Sequence, residues 1–336
     1  MTLPAEPALR ELIREQIERQ GPLPFARFME LALYHERWGY YRRGRDPFGA
    51  AGDYFTNSQL QPVFGRLVAQ QIGRWRDGMG RPEGFSVVEL GPGRGETTGV
   101  LSEQLRGVCC REVEYATPLL SAGSFTGVVF SNEFFDALPV HSLGSRGGGI
   151  VEYYVDIDAA AEGFRFVDGP PSDPRLEAYL QRYARGLTEG QRLEVNLAAL
   201  DQLEAIAATL DRGHVLTIDY GYTADEIAGG RRLVSGSLMS YRKHQAFEDV
   251  LADPGSRDIT AHVNFTALEQ RGEELGLVSK GLRTQAQFLL EVGEPDQFAA
   301  ALEAASEPES LRLRMQLKTL LFGLGETFRV LVQTKG

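Results

Sequence analysis

Cysteine is scarce: the chain holds two, Cys109 and Cys110, which are adjacent and cannot staple distant segments. That usage excludes a disulfide-built scaffold and fits a reducing compartment. Histidine is also sparse, and His35, His141, His214, His244 and His262 show no metal-ligand spacing with one another or with the cysteines. A zinc site is therefore not expected, and no metal is assigned. No apolar run reaches the length of a membrane span, and no apolar segment follows a basic start. The opening MTLPAEPALRELIREQIERQ reads as a polar amphipathic helix, too acidic for a mitochondrial transit peptide, so a cytoplasmic location is expected. Basic charge is in deficit, with a net charge of −11, which disfavours nucleic acid as a partner. It tolerates a basic substrate, although most of that charge reads as solvated surface.

What remains is an ordinary globular composition, 43% hydrophobic over 336 residues, enough for one large core or two modest ones. Its organising stretch is residues 86–98, SVVELGPGRGETT. The β-branched run at 86–90 has the composition of a strand buried on both faces. Gly91-Pro92-Gly93-Arg94-Gly95 breaks it, and a helical mixture resumes at Glu96. Glycines there let the backbone approach a ligand closely, and the helix start offers unpaired N–H groups. A dinucleotide fingerprint would need a glycine where Glu96 stands, and a P-loop would need a lysine that is missing. E-x-G-x-G-x-G remains, the form of the first motif of Rossmann-like S-adenosylmethionine methyltransferases; the plainer alternative is a turn that binds nothing.

Along the chain, helices are expected over 5–20, 25–34, 62–75, 174–185, 197–210, 265–275, 295–305 and 308–322. Strands are expected at 112–115, 127–131, 150–157, 163–167, 214–221, 277–283 and 327–333, with a long polar Gly-rich connection over 222–262. The stretch from Glu89 to Asn132 is too short for a full strand-helix-strand-helix-strand succession, so one βα unit is shortened or missing. The succession of elements gives the fold class as α/β; resemblance to the methyltransferases of that motif implies a Rossmann-like methyltransferase sheet with an N-terminal helical part and a small inserted α+β subdomain. Boundaries follow as 1–80 (helical cap and cofactor lid), 81–140 (first half of the cofactor domain), 141–196 (insert) and 197–336 (second half).

Glu89, Asn132 and Asp219 each end a strand before a turn, and in an open parallel sheet ligands lie outside the carboxyl ends of the strands. Each alone is readable as a turn former satisfying its own backbone. Methyl transfer from a sulfonium needs alignment and electrostatic placement more than covalent help. If Asn132 caps a helix, Glu133 and Asp136 share a face and are able to grip a guanidinium, with Phe134 and Phe135 excluding water. The alternative is first-turn acids complementing a helix dipole, with the phenylalanines in the core. His262, in Asp258-Ile-Thr-Ala-His262-Val-Asn264, is a candidate for substrate orientation or a structural histidine.

Taken together and in order, GPLPFARFMELALYHERWGYY, the GDYFT turn at 52–56, ELGPGRGE, SNEFFDALPVH, RLEVNLAAL, VLTIDYGY, SYRKH, DITAHVNF and TQAQFLLEVG resemble the MidA-like methyltransferase family. The mitochondrial complex I assembly arginine methyltransferase belongs to the same family, and the resemblance spans about residues 20–335. It implies S-adenosyl-L-methionine as cofactor and arginine methylation of a protein partner, a respiratory-complex subunit by analogy. By position it places Glu89, Gly91, Gly93 and Gly95 in the cofactor turn and closes Gly52 and Asp53 over the cofactor. It matches Asn132, Glu133 and Asp136, the catalytic candidates, to the family's strand-end motif and Asp219 and Tyr220 to its later Asp-Tyr-Gly; Asp219, Tyr220 and His262 are the candidates for binding substrate. Two departures stand out. Thr56-Asn57-Ser58-Gln59 replaces the family's Thr-Ser-Pro-Glu, and the short 107–126 stretch lacks a clear ribose-holding acid, leaving Glu112 or Glu114 as substitutes. Alternatives to the arginine methyltransferase are an enzyme methylating a small molecule and a cofactor-binding assembly factor without turnover.

Overall fold

Apolar periodicity sets the element order of the computed structural model, which describes residues 5–42, 57, 60–119, 123–229 and 235–336. Helix α1 (Ala5–Gln20), strand β1 (Leu23–Pro24), α2 (Phe25–Tyr34) and α3 (Val63–Gly78) open the chain. They are followed by β2 (Ser86–Leu90), α4 (Glu96–Gln104), β3 (Cys109–Val113) and β4 (Phe125–Asn132). Strands β5 (His141–Arg146), β6 (Gly149–Asp158) and β7 (Gly163–Gly169) precede α5 (Arg175–Tyr183), β8 (Arg192–Val195), α6 (Leu197–Thr209) and β9 (Leu210–Tyr222). Next come α7 (Ala224–Gly229), β10 (Met239–Arg242), β11 (Gln245–Phe247), β12 (Asp258–Thr260), β13 (Val263–Asn264) and α8 (Phe265–Glu274). The chain closes with β14 (Val278–Thr284), α9 (Gln285–Gly293), α10 (Glu307–Lys318) and β15 (Phe328–Lys335).

These elements fall into two compact units, each built from three separated stretches of chain. The first takes Met1–Phe55, Asp136–Ala199 and Tyr222–Ala267; the second takes Thr56–Phe135, Leu200–Gly221 and Leu268–Gly336. In the second, the sheet runs β14-β15-β9-β4-β2-β3. Strands β3, β2, β4 and β9 are mutually parallel, and β15 and β14 close the sheet antiparallel. The apolar stripe of α3 (Phe64, Leu67, Val68, Ile72) packs with Phe288 and Leu289 of α9 against Val87, Val128, Phe130, Leu216 and Val330 of the sheet. No helix or strand lies between β3 and β4 among the described residues, as the short spacing predicted. In the first unit, β1-β6-β5-β8 form an antiparallel sheet with β7 on β6. Phe25 and Phe28 of α2 seat against Phe166 and Phe164 of β7 at 5.5 and 5.7 Å between ring centroids.

Several expectations are corrected. Residues 133–140 form a turn, so Asn132 caps no helix and Glu133 and Asp136 share no helical face. The strand expected at 112–115 is β3, displaced toward the cysteines. The polar stretch 222–262 holds α7 and a small sheet of order β11-β10-β12, whose strands are too short for an alternating pattern to register. Instead of a helix over 295–305, α9 begins at Gln285, where Thr284 and Gln287 form a reciprocal capping box.

Truncating the fully buried Phe130 in β4 leaves a cavity that close-packed neighbours fill poorly. Phe130→Ala is expected to lower unfolding free energy by about 3–5 kcal/mol. Leu290→Ala, on a side chain 38% exposed, is expected to change it by no more than about 0.5 kcal/mol. Urea unfolding monitored by far-UV circular dichroism distinguishes the two.

Candidate functional site

In the parallel part of the sheet, Leu90 stands opposite both Val113 and Ser131, and Asn132 opposite Ile218. The carboxyl ends of β3, β2 and β4 therefore finish nearly level, beside Ile218 of the longer β9, at the edge where open α/β sheets take ligands. The glycine turn leaves β2 at this edge. Gly91, Gly93 and Gly95 all have left-handed φ values, 61°, 59° and 71°. A side chain at Gly91 would strike the Phe134 ring, and one at Gly95 would strike the Glu112 carboxylate.

Glu89 sits at the base of this turn, 4% exposed, and accepts a short hydrogen bond from the Thr98 hydroxyl of α4. Burial raises its pKa to about 7 against the pull of that hydroxyl, and the charges of Glu112 and Glu114 add to the rise. Glu112 is the register partner of Glu89 on β3; Glu114 lies just past the strand end, exposed. Desolvated and flanked by two more acids, the Glu89 carboxyl is short of a cation.

At the end of β4, Glu133 takes a left-handed φ of 53°, uncommon for a side chain with a Cβ and a conformation that clusters at functional sites. Its Oε1 accepts from the Asn57 backbone N–H at 3.1 Å and from Asn132 Nδ2 at 3.1 Å. Asn57 Nδ2 in turn donates to Asn132 Oδ1 at 3.0 Å and to Gln285 Oε1 at 2.7 Å, while Gln285 Nε2 returns a bond to Asn57 Oδ1 at 3.1 Å. Asn57 and Gln285 are both fully buried. Sequence reasoning missed their part in the site. Asn57 stood out only as a departure from the family's motif, and Gln285 only as part of a quoted run.

Asp219 does not reach outward as a substrate-facing acid would. Its Oδ2 accepts from the Phe134 and Phe135 N–H groups at 3.2 and 2.9 Å, and its Oδ1 accepts from Tyr220 N–H at 2.9 Å. Tyr220 packs edge-on to Phe328 at 5.6 Å. Asp136 and His262 belong to the first unit. Asp136 is buried, its carbonyl accepting from Ala261 N–H. His262 packs against Tyr222 at 5.1 Å, and burial holds its pKa below the ordinary value, so its imidazole is neutral at physiological pH. Gly52 and Asp53 lie outside the described residues. No cluster of three metal-ligating side chains occurs among the described residues.

A family model described as "Putative S-adenosyl-L-methionine-dependent methyltransferase" matches residues 100–283. The chain belongs to this methyltransferase family. A crystal structure from Burkholderia thailandensis bound to S-adenosyl-homocysteine is similar over 98% of this chain and 92% of that one, with a TM-score of 0.87 and 29% identity. The Drosophila melanogaster protein named "Protein arginine methyltransferase NDUFAF7 homolog, mitochondrial" is 29% identical, covering 81% of this chain and 71% of that one. The Homo sapiens protein named "Protein arginine methyltransferase NDUFAF7, mitochondrial" is 28% identical over 97% of this chain and 82% of that one. The cofactor of the family is S-adenosylmethionine, and the residues present fit it: a buried acid wanting a cation lies beside glycines that keep side chains off the turn. No helix is long and apolar enough to cross a membrane among the described residues.

Two outcomes test this geometry. Because burial raises the Glu89 pKa, the protonated acid contributes stability that is fully present below about 4.5 and lost as pH rises through about 7. Glu89→Gln is expected to abolish that slope, worth roughly 3 kcal/mol across the interval, in denaturation curves taken over pH. Cofactor uptake by the wild type has the opposite sign, strengthening through that range with proton release. Calorimetry in buffers of different ionisation heat reads this directly, and proton-neutral uptake would contradict it. Gln285→Leu, which strands the buried Asn57 amide, is expected to cost about 1–3 kcal/mol on denaturation.

Proposed function

We propose that the protein transfers a methyl group from S-adenosylmethionine to an arginine side chain of a protein substrate. The observation that carries this reading is Glu133: a strand-end carboxylate held by two N–H donors on one oxygen, in a backbone conformation its neighbours must enforce. A carboxylate is the natural partner of a guanidinium, and its charge raises electron density on the nitrogen it contacts. The names of the fly and human relatives support the same substrate class.

When bound, the cofactor supplies a methyl group on a sulfonium, open to in-line displacement. Glu133 accepts a hydrogen bond from the guanidinium and so fixes the attacking nitrogen, the alignment from which most of the acceleration comes. Free arginine has a pKa above about 12, so a proton must leave as the new C–N bond forms. The Glu133 carboxylate takes that proton and passes it to solvent. Phe134 and Phe135, both buried and edge-to-face at 5.3 Å, keep water from that side of the carboxylate. Glu112, against Gly95, is placed to accept from the ribose hydroxyls, the role left open by the shortened βα unit. Asn57, Asn132 and Gln285 act through Glu133 and are positioning residues.

Incubation with methyl-labelled cofactor and lysate, followed by peptide mapping, is expected to place label on arginine. Glu133→Gln is expected to lower that transfer by about 10²-fold or more while cofactor affinity changes less than about twofold. Label confined to small molecules would make the protein a small-molecule methyltransferase, and cofactor binding without any acceptor would make it an assembly factor. Undiminished turnover in Glu133→Gln would remove this residue from the chemistry.

A further inference from the structure

At the other end of the same sheet, the second unit carries a cavity of about 390 Å³, within the range of small-molecule sites. Its lining comes from two helices and three strands: Trp75 of α3, Phe288 and Glu291 of α9, His214 of β9, Val332 of β15, and Lys280 with Arg283 of β14. His214 lies five residues before Asp219 on β9, which places the cavity roughly 16 Å along the strand from the catalytic edge. It is thus separate from the glycine turn.

Three features give the cavity a chemical preference. Its walls mix aromatic and polar groups: Trp75 and His214 stack at 4.4 Å and 9°, Phe288 and Val332 are buried beneath, and Gln71 and Thr334 add polar side chains. His214 lines the cavity with its ring, its Nδ1 being buried with no hydrogen-bond partner among the described residues and so out of a ligand's reach. The imidazole is neutral, since burial and then the Lys280 charge lower its pKa to about 4, so it is able to offer one donor or one acceptor but no charge. The charge comes from the rim. Arg283 is cancelled by its ion pair with Glu291, whereas Lys280 has no acidic partner among the described residues. Its ammonium is close enough to act on His214.

We propose that this cavity is a second binding site, for a small planar organic anion. The flat body lies against the Trp75 and Phe288 walls, and the anionic group meets Lys280. Lys280 sets the preference for an anion over its neutral isostere, and the stacked Trp75–His214 pair sets the preference for a flat one.

The chain has two tryptophans, so Trp38→Phe leaves Trp75 as the single indole reporter. The test uses the full chain in that background, with 4-(trifluoromethyl)benzoate as probe and its neutral benzamide as control, followed by fluorine NMR and the Trp75 indole N–H resonance. Saturable binding of the benzoate with a shifted Trp75 signal is expected, undisturbed by saturating S-adenosyl-homocysteine. The benzamide is expected to bind about fivefold more weakly, and Lys280→Glu to weaken the benzoate by about fivefold or more. Lys280 and its substitute are exposed, so the variant tests charge without disturbing the core. No saturable binding at millimolar probe overturns the proposal, as does equal binding of acid and amide. Displacement by S-adenosyl-homocysteine, or a silent Trp75, would assign the probe to another site and overturn it too.

Discussion

A carboxylate with no solvent contact must be matched by donors, and Asp219 is matched by three from the backbone. Two of those donors, Phe134 and Phe135, belong to the turn after β4, so one side chain at the end of β9 decides how the neighbouring strand leaves the sheet. The Glu133 N–H, bonded to the Ile218 carbonyl at 3.0 Å, adds a third tie between the same two strand ends. With both following peptides pinned, Glu133 has little choice of conformation, and its left-handed φ follows from its surroundings. The chemistry assigned to Glu133 therefore depends on a residue that need never touch a substrate.

Around that anchor the site divides its polar groups by function. Buried amides, Asn57 and Gln285, bond reciprocally, Asn57 also donating to Asn132 and Gln285 to the Leu320 carbonyl, the arrangement in which a polar network rigidifies a core. The acids near the glycine turn are treated differently. Glu89 is buried beside Glu112 and Glu114, whose charges raise its pKa further, so a cationic ligand at the turn would favour its ionised form.

Much of this was legible in the sequence, for reasons local to it. The β2-turn-α4 unit lies within the nineteen residues Ser86–Gln104, and its apolar run, glycines and acid each report a property of the backbone at that point. The absent βα unit was legible from spacing, because a connection cannot be shorter than the elements it must contain. The turn at 133–136 was not. Its acids carry helix-like spacing, and the residue that overrides it stands 85 positions away. The Asn57–Gln285 pair spans 228 positions, and neither amide differs locally from a surface one. The short strands β10, β11 and β12 pass below the length at which alternation is distinguishable from a loop.

The shortened connection after β3 has one more effect. In a fully elaborated doubly wound sheet a further strand would pair there, whereas here β3 ends the hydrogen-bonded order and, among the described residues, no strand lies beside its outer row of N–H and C=O groups. Such a rim is a template for edge-to-edge association between molecules. This one is five residues long and carries Arg111 and Glu112 at its centre, so any second chain aligning along it must match alternating charge over a short ladder. Loss of a structural layer is thereby made compatible with remaining unaggregated.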